Sequence, residues 1–380
     1  MARWTYLIAD LRTNVIAGEL PLSGVRMSKV LNGSGQIKAD LKLGDATVQA
    51  QQVYNMTRPA IRAIYCLRDR TPFWGGIIWA SDYESGPQTI ALAGADFFSY
   101  FDHRKVVEVL PAPPIAATFV AGLSKIYTQQ DQNDIARDLV TLAQSHTAGD
   151  IGITFAATTD SGILLDRTYH GYEQFYTGEA LRELAGLPTG PDIAFDVSGP
   201  DSAGRPIRVM RLGTPRLVQA GVAHRWDLGG NLLSFAWRSG GGAMATRVFF
   251  EGDGAERGAR IAVAEDTSLY ASGWPLLETD EIDTAVTSDT VLQTKADGLQ
   301  QALRLPTVSV ELRVRGDLPP VLGEYAPGDE GRMVLPAGRD ALFPQGFDVA
   351  VRIASMEVTV SDEGKEAITL LCRVVGQAVT

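Results

Sequence analysis

At 380 residues the chain is longer than one compact core usually organises, which implies roughly two to three domains. A composition of 45% hydrophobic and 21% charged residues excludes wholesale disorder and a coiled coil. The 34 basic against 45 acidic residues leave a net charge of −11, which argues against a DNA- or RNA-binding surface, since such a surface needs a surplus of Lys and Arg.

Through residue 98 the sequence reads as short strands broken by Gly, Asn, Asp or Pro: WTYLIAD, NVIAGELPL, GVRMSKVL, GQIKADLKL, AIRAIYCLRD, FWGGIIWASDYE and QTIALAGADFF. In GQIKADLKL the apolar Ile37, Ala39, Leu41 and Leu43 alternate with Gln36, Lys38, Asp40 and Lys42, so one face meets a core and the other meets water. Asn32 and Gly33 tolerate positive φ and predict a tight reversal before that strand. The apolar FWGGIIW, residues 73 to 79, is too short to cross a bilayer and suits a central strand, with Gly75 and Gly76 permitting close backbone approach or a bulge.

Clustered Pro in PAPPIAA, residues 111 to 117, marks a domain boundary. Beyond it, DIARDLVTLAQSH places Ile135, Leu139, Leu142 and Ala143 at helical spacing. A second helix is predicted over Thr177 to Ala185, with Thr177 as N-cap and Gly186 as its end. GPDIAFDVSGPDSAGRPIRVMRLG follows as two strands around a polar turn, which makes residues 116 to 225 an α+β insert. From Trp226 the pattern returns to β in WDLGGNLLSFAWRS, ATRVFFEGDG and ARIAVAED. A helix over 288–303 aligns Leu292, Ala296, Leu299 and Leu303, with Gly298 as a weak point. The β-branched TVSVELRVRG, RMVLP, DVAVRIASMEVTVS and EAITLLCRVVG complete the chain. The predicted class is mainly β with α+β insertions: a first barrel-like domain at 1–115, the insert at 116–225, and a second at 226–380.

No catalytic pattern accompanies these elements. His103, His146, His170 and His224 are dispersed without metal-ligand spacing, and Cys66 and Cys372 form neither a zinc motif nor a disulfide framework and read as buried thiols. Ser161 in TDSGILLD is not a nucleophile elbow. The carboxylates Asp280, Glu281 and Asp283 read as a solvated acidic turn rather than a facing pair. SGGGAM, residues 239 to 244, lacks a phosphate-loop context and reads as a flexible reversal. The aromatics of FFSYF, 97 to 101, and YHGYEQFY, 169 to 176, suit core packing, with sugar or partner contact the alternative. Gly323, Pro327, Gly328 and Gly331 shape a turn in which Asp329 accepts backbone N–H groups before Met333 to Leu335 enter a strand. No catalytic, cofactor-binding or metal-binding residue is assigned, and no cofactor is expected. No run of about eighteen apolar residues is present, and MARWTYLIADLRTN turns polar too early for a signal-peptide core, so a soluble chain made in the cytosol, without stable membrane insertion, is expected.

The collinear order of ELPLSGVRMSKVLNGSGQIKADLKL, RDRTPFWGGIIWASDY, DIARDLVTLAQ, GEALRELAGLPTGPDIAFDV, DLGGNLLSF, GEYAPGDEGRMVL and PQGFDVAVRIASMEVTV resembles phage tail hub proteins, the minor tail proteins of actinobacterial siphophages, related to the baseplate hubs of contractile phages. The resemblance implies two tube-type β-barrel domains in a non-enzymatic virion protein of the tail tip, assembled in the host cytoplasm. It implies a homotrimeric ring whose internal duplication adapts a six-fold tail tube to a three-fold tip. Its partners would be the distal tail protein, the tape-measure protein and tail-tip or fibre proteins, with phage DNA passing through the channel without specific binding. An acidic or neutral lumen follows from that role, with Asp40 and Glu311 as candidate lining residues among Lys38, Lys42, Arg313 and Arg315. A carbohydrate-binding receptor module using 169 to 176, and a tail-associated cell-wall hydrolase, are the alternatives.

Overall fold

The computed structural model describes all residues other than Met1, 45–47, 49–51, 112–115, 214–215, 219–223, 285 and 376–380. Most of the Pro-rich boundary at 111–117 therefore lies outside the described residues. Strand outweighs helix, 45% to 17%, so the chain is mainly β with large antiparallel sheets. It divides into two units, Met1–Ser234 with Leu312–Cys372, and Phe235–Glu311 with Arg373–Thr380.

In the first unit, strands β1 (Trp4–Asp10), β2 (Ile16–Glu19), β3 (Ser23–Val30), β4 (Gln36–Lys42), β5 (Arg62–Arg68), β6 (Thr71–Glu84) and β7 (Thr89–Asp96) are followed by β8 (Ser124–Asp131), helix α1 (Gln132–Ser145), β9 (Ile153–Phe155), β10 (Leu164–His170), α2 (Thr177–Gly186), β11 (Asp192–Pro200), β12 (Pro206–Gly213) and β13 (His224–Asp227). After β14 (Leu232–Gly240) the second unit contributes β15 (Arg247–Glu251), β16 (Ile261–Glu265), β17 (Glu278–Ile282) and α3 (Asp289–Leu303). The chain then continues through β18 (Thr307–Val314), β19 (Glu330–Leu335), β20 (Phe347–Val360) and β21 (Glu366–Val374).

The main sheet of the first unit runs β20–β3–β4–β7–β6–β5–β1–β2, with β19 antiparallel to β20 and β13 parallel to β19. β4 alternates as its sequence dictates, with Ile37, Ala39 and Leu41 buried. Asn32 takes φ +59° in the reversal before it, the left-handed conformation that Asn tolerates. β6 carries the FWGGIIW run through the sheet, and a Cβ on Gly76 would sit 2.2 Å from the Ala95 carbonyl oxygen, so only glycine allows that approach. One face is covered by a three-stranded sheet, β11–β12–β9, and by the two helices. Ala63, Tyr65 and Ile77 from the main sheet meet Phe97, Phe98 and Phe101, Leu139 and Val140 of α1, Leu181 and Leu184 of α2, and Phe195 and Met210 in one core. The FFSYF aromatics thus pack the interior, each full burial contributing about 2–3 kcal/mol.

Two local expectations are revised. α1 begins at Gln132 because the Asp131 carboxylate accepts from the Asn133 N–H at 2.9 Å, capping a turn that the apolar spacing alone did not reveal. Thr177 does not cap α2: it is buried as the first helical residue and its N–H donates to the Arg104 carbonyl oxygen at 2.8 Å, while Tyr176 occupies the cap position without a side-chain bond. The strands β8, β9, β10 and β17 lie where the sequence lacks sustained alternation, and tertiary pairing supplies what local propensity does not.

In the second unit the sheet order is β16–β15–β17, with β15 antiparallel to β16 and parallel to β17. α3 covers one face, where Phe250, Ala262 and Ala264 meet Val286, Leu292, Ala296 and Leu299. Asp280 and Glu281 are not a turn; they stand exposed on β17, and parallel pairing with β15 satisfies the backbone while the carboxylates stay in water.

Arg208 of β12 is only 1% exposed, and no salt bridge reaches it among the described residues. Its guanidinium donates to the Tyr65 hydroxyl (2.7 Å), the Leu11 carbonyl (2.5 Å), Asn14 Oδ1 (3.1 Å) and the Ile151 carbonyl, and lies 4.7 Å from the Phe97 ring centre. One cation therefore satisfies backbone oxygens from the β1–β2 connection and from the segment before β9. Replacing it with Met keeps the volume and strands those oxygens. Arg208→Met is expected to lower the unfolding free energy by about 3 kcal/mol or more, read from urea titration, whereas Arg211→Met on the same strand costs under about 1 kcal/mol.

Asp96 at the end of β7 is buried, and desolvation pushes its carboxyl up to about 7 even though the Gly35 and Phe98 N–H groups and the Ser34 hydroxyl donate to it. A carboxyl whose folded pKa is raised stabilises the fold most at low pH, and that contribution is lost as pH rises towards and through about 7. Between about pH 5 and 8 the wild type is expected to lose about 2 kcal/mol more stability than Asp96→Asn, measured as the slope of urea-unfolding free energy against pH. Equal slopes would contradict it.

Candidate functional site

The sequence-singled residues do not converge. His103 packs at 4.5 Å against the Trp79 ring, and His146 Nε2 lies 3.0 Å from the Val107 carbonyl oxygen. His170 Nδ1 lies 2.9 Å from Ser124 Oγ, with the ring stacked on Tyr172, while His224 is buried with Trp226 and Tyr325, 3.7 Å from an Asp329 oxygen. Ser161 donates to Asp131 at 2.8 Å. Burial there tends to raise the Asp131 carboxyl, but donors from Asn133, Ser161 and Gly162 outweigh it and hold the carboxyl below its usual range. This serine closes a helix cap, its hydroxyl donating to a carboxylate that also takes the Asn133 and Gly162 N–H groups.

Both cysteines are buried and free, and desolvation raises both thiols, Cys372 to about 12, so neither is a thiolate near neutral pH. Among the described residues no group of three or more His, Cys, Asp or Glu side chains is arranged to hold a metal ion. Asp283 pairs with Lys295, apart from the exposed Asp280 and Glu281. Residues 239 to 244 comprise the end of β14 and the turn after it. Asp329 accepts from the Ala326 N–H at 2.8 Å, and Gly323 and Gly328 take φ of +106° and +102°, which makes the GEYAPGDEG segment the structural turn its glycines imply. In the YHGYEQFY segment Tyr169 is core, while Tyr172 and Tyr176 are exposed.

What the first unit does assemble is a groove of about 690 Å³, lined by Lys29, Arg68, Phe73, Asp196, Arg211 and Tyr325 among others. Asp196 accepts from Lys29 at 2.9 Å and Arg211 at 3.2 Å; burial tends to raise its carboxyl, and the two cations hold it below the usual range. Arg68 forks onto Glu366 at 2.7 and 3.1 Å, and Trp4 Nε1 donates to the same carboxylate at 2.9 Å. Arg352 of β20 pairs with Asp192 of β11, which also takes the Leu217 N–H at 2.7 Å. Each of these charges has a partner within the protein, and the pairs fasten residues near both ends of the sequence to one another and to the middle. These bonds are long-range in sequence, and only the alternation of the strands, not the pairings, was visible in the residues.

The polar face of the main sheet is likewise mixed. Arg26 on β3 pairs with Glu357 on β20 at 2.7 Å, and Lys42 on β4 with Asp362 at 3.4 Å. In the second unit Glu311 pairs with Arg238 at 3.0 Å.

No protein-family model and no curated protein matches this sequence. Solved structures do. A 43 kDa tail protein of prophage MuSo2 from Shewanella oneidensis superposes with a TM-score of 0.61 at 14% identity, covering 98% of each chain. The tail protein from Neisseria meningitidis MC58 gives 0.59 at 12% identity, over 97% of this chain and 96% of that one. Prophage tail protein gp18 from Listeria monocytogenes EGD-e gives 0.54 at 12% identity, over 98% and 95%. From its first strands to its last, this chain has the fold of phage tail proteins.

Proposed function

We propose that this protein is a structural component of a phage tail, the hub at the tail tip, and that three copies form a ring continuing the DNA conduit. The observation that carries this reading is likeness in both directions: about the whole of this chain matches about the whole of each tail protein. Residues 1–115 and 226–380 are two tube-type β-barrel domains related by duplication, with 116–225 inserted between them. Three chains then offer six barrel positions, the number a six-fold tube requires above a three-fold tip. Its partners are the distal tail, tape-measure and tip or fibre proteins of the same particle, and the protein is not an enzyme.

The ion pairs on the polar strands support the conduit. A wall facing DNA must not capture phosphate, and Arg26 and Lys42 are neutralised by Glu357 and Asp362 rather than left free. Native mass spectrometry is expected to give three times 40.8 kDa, and reconstruction of the particle a three-fold ring of this chain. Absence of the chain from the tail would overturn the tail reading, and any other stoichiometry the ring. Glu357→Gln with Asp362→Asn is expected to leave assembly intact and to slow DNA release severalfold at low salt, by leaving two cations uncompensated; release at the wild-type rate would remove those strands from the lumen.

A further inference from the structure

The three-stranded sheet of the second unit has one face sealed by α3. The other is open, and the strand registers fix its make-up. On that side Arg247 of β15 stands between Glu265 of β16 and Glu278 of β17. Two residues along β15, Phe249 stands between Val263 and Asp280; two further, Glu251 stands between Ile261 and Ile282. Alternate residues share a face, so these nine form one surface three strands wide, and strand spacing makes it about 10 Å across.

Its apolar residues Phe249, Val263 and Ile261 adjoin across β15 and β16, and Ile282 stands diagonal to Phe249 on β17. Ile261, Val263 and Ile282 are 54%, 44% and 58% exposed, values more usual for polar strand positions, and Phe249 lies among them. Its charge is one-sided. The Arg247 guanidinium holds both Glu265, at 3.0 Å, and Glu278, at 2.8 Å. Glu251 and Asp280 have no cationic partner among the described residues. Four carboxylates therefore stand against one guanidinium among uncovered apolar side chains. A sheet face that only needed solubility would carry polar residues in place of Ile261, Val263 and Ile282, while a face meant for another acidic surface would carry cations.

We propose that this face docks a protein partner of complementary make-up: a segment with Val, Ile or Leu at its centre and Lys or Arg around it. The apolar residues supply the desolvated contact, and Glu251 and Asp280 recognise the basic rim. All nine residues of this face belong to the second unit, and its docking role does not depend on the tail reading, so either can fail without the other.

The test uses the full chain and a labelled heptapeptide of alternating Lys and Val, read by fluorescence anisotropy, beside a Lys–Ser and a Glu–Val peptide of the same length. The Lys–Val peptide is expected to bind, and the other two to bind at least tenfold more weakly. Val263→Ser with Ile282→Ser is expected to weaken Lys–Val binding at least tenfold. Glu251→Gln with Asp280→Asn, which keeps shape and removes the two unpaired charges, is expected to weaken it severalfold and to flatten its salt dependence. All four positions lie on the face away from the α3 core, and a thermal unfolding curve of each variant checks that the fold is kept. Equal binding of the Lys–Ser peptide, or binding indifferent to both double variants, overturns the proposal. Self-association of the wild-type chain in sedimentation that Val263→Ser with Ile282→Ser abolishes would also overturn it, since the occupant would then be a second copy.

Discussion

The pairing of β3 with β20 is the constraint on which the first unit rests. Val25 to Val30 run antiparallel to Ser355 to Val360, joining segments more than three hundred residues apart in one sheet. Met27, Val25, Met356, Val358 and Val360 are all buried, so the register is fixed by apolar burial on one side, and a slip of one residue would put every one of them in water. The polar side agrees, since Arg26 meets Glu357 there. Once this pair exists, Arg68 can reach Glu366 and Arg352 can reach Asp192, and the groove charges find their partners.

Residue types set the kind of structure, and tertiary geometry set its wiring. Ile37, Ala39 and Leu41 announce a half-buried strand by period alone, Ile135 and Leu139 announce a helix face, and Gly75 and Gly76 announce close approach; each is found so. Arg208 is different. In PIRVMRLG it is one of two arginines in an alternating strand, and nothing in that spacing separates the buried cation from the half-buried Arg211; its partners come from residues 11, 14, 65 and 151. β17 was hidden for the opposite reason: ETDEI is too acidic to look like a strand, and it becomes one because parallel pairing with β15 supplies its hydrogen bonds. The four histidines stand in four separate environments, His103 against Trp79, His146 at the Val107 carbonyl, His170 beside Ser124 and His224 among Trp226 and Tyr325, so no two of them face a shared space.

Polar burial here is spent on connection. Asp96 ties the β7 end to Ser34 and Gly35, Arg208 ties three chain segments, and Asp329 ties its own turn. Buried groups of this kind cost desolvation and repay it only with complete hydrogen bonding, which makes the fold intolerant of partial solutions.

The second unit's place in the sequence has a consequence for how the protein is made. Residues 235–311 lie between the two parts of the first unit, so a ribosome delivers them before it delivers β20. While β15, β16, β17 and α3 can close locally, the β3 edge stays unpaired until residue 360 has emerged, exposing backbone donors and acceptors to any neighbouring chain. Until β20 arrives, that edge is a place where a strand of a neighbouring nascent chain can pair instead.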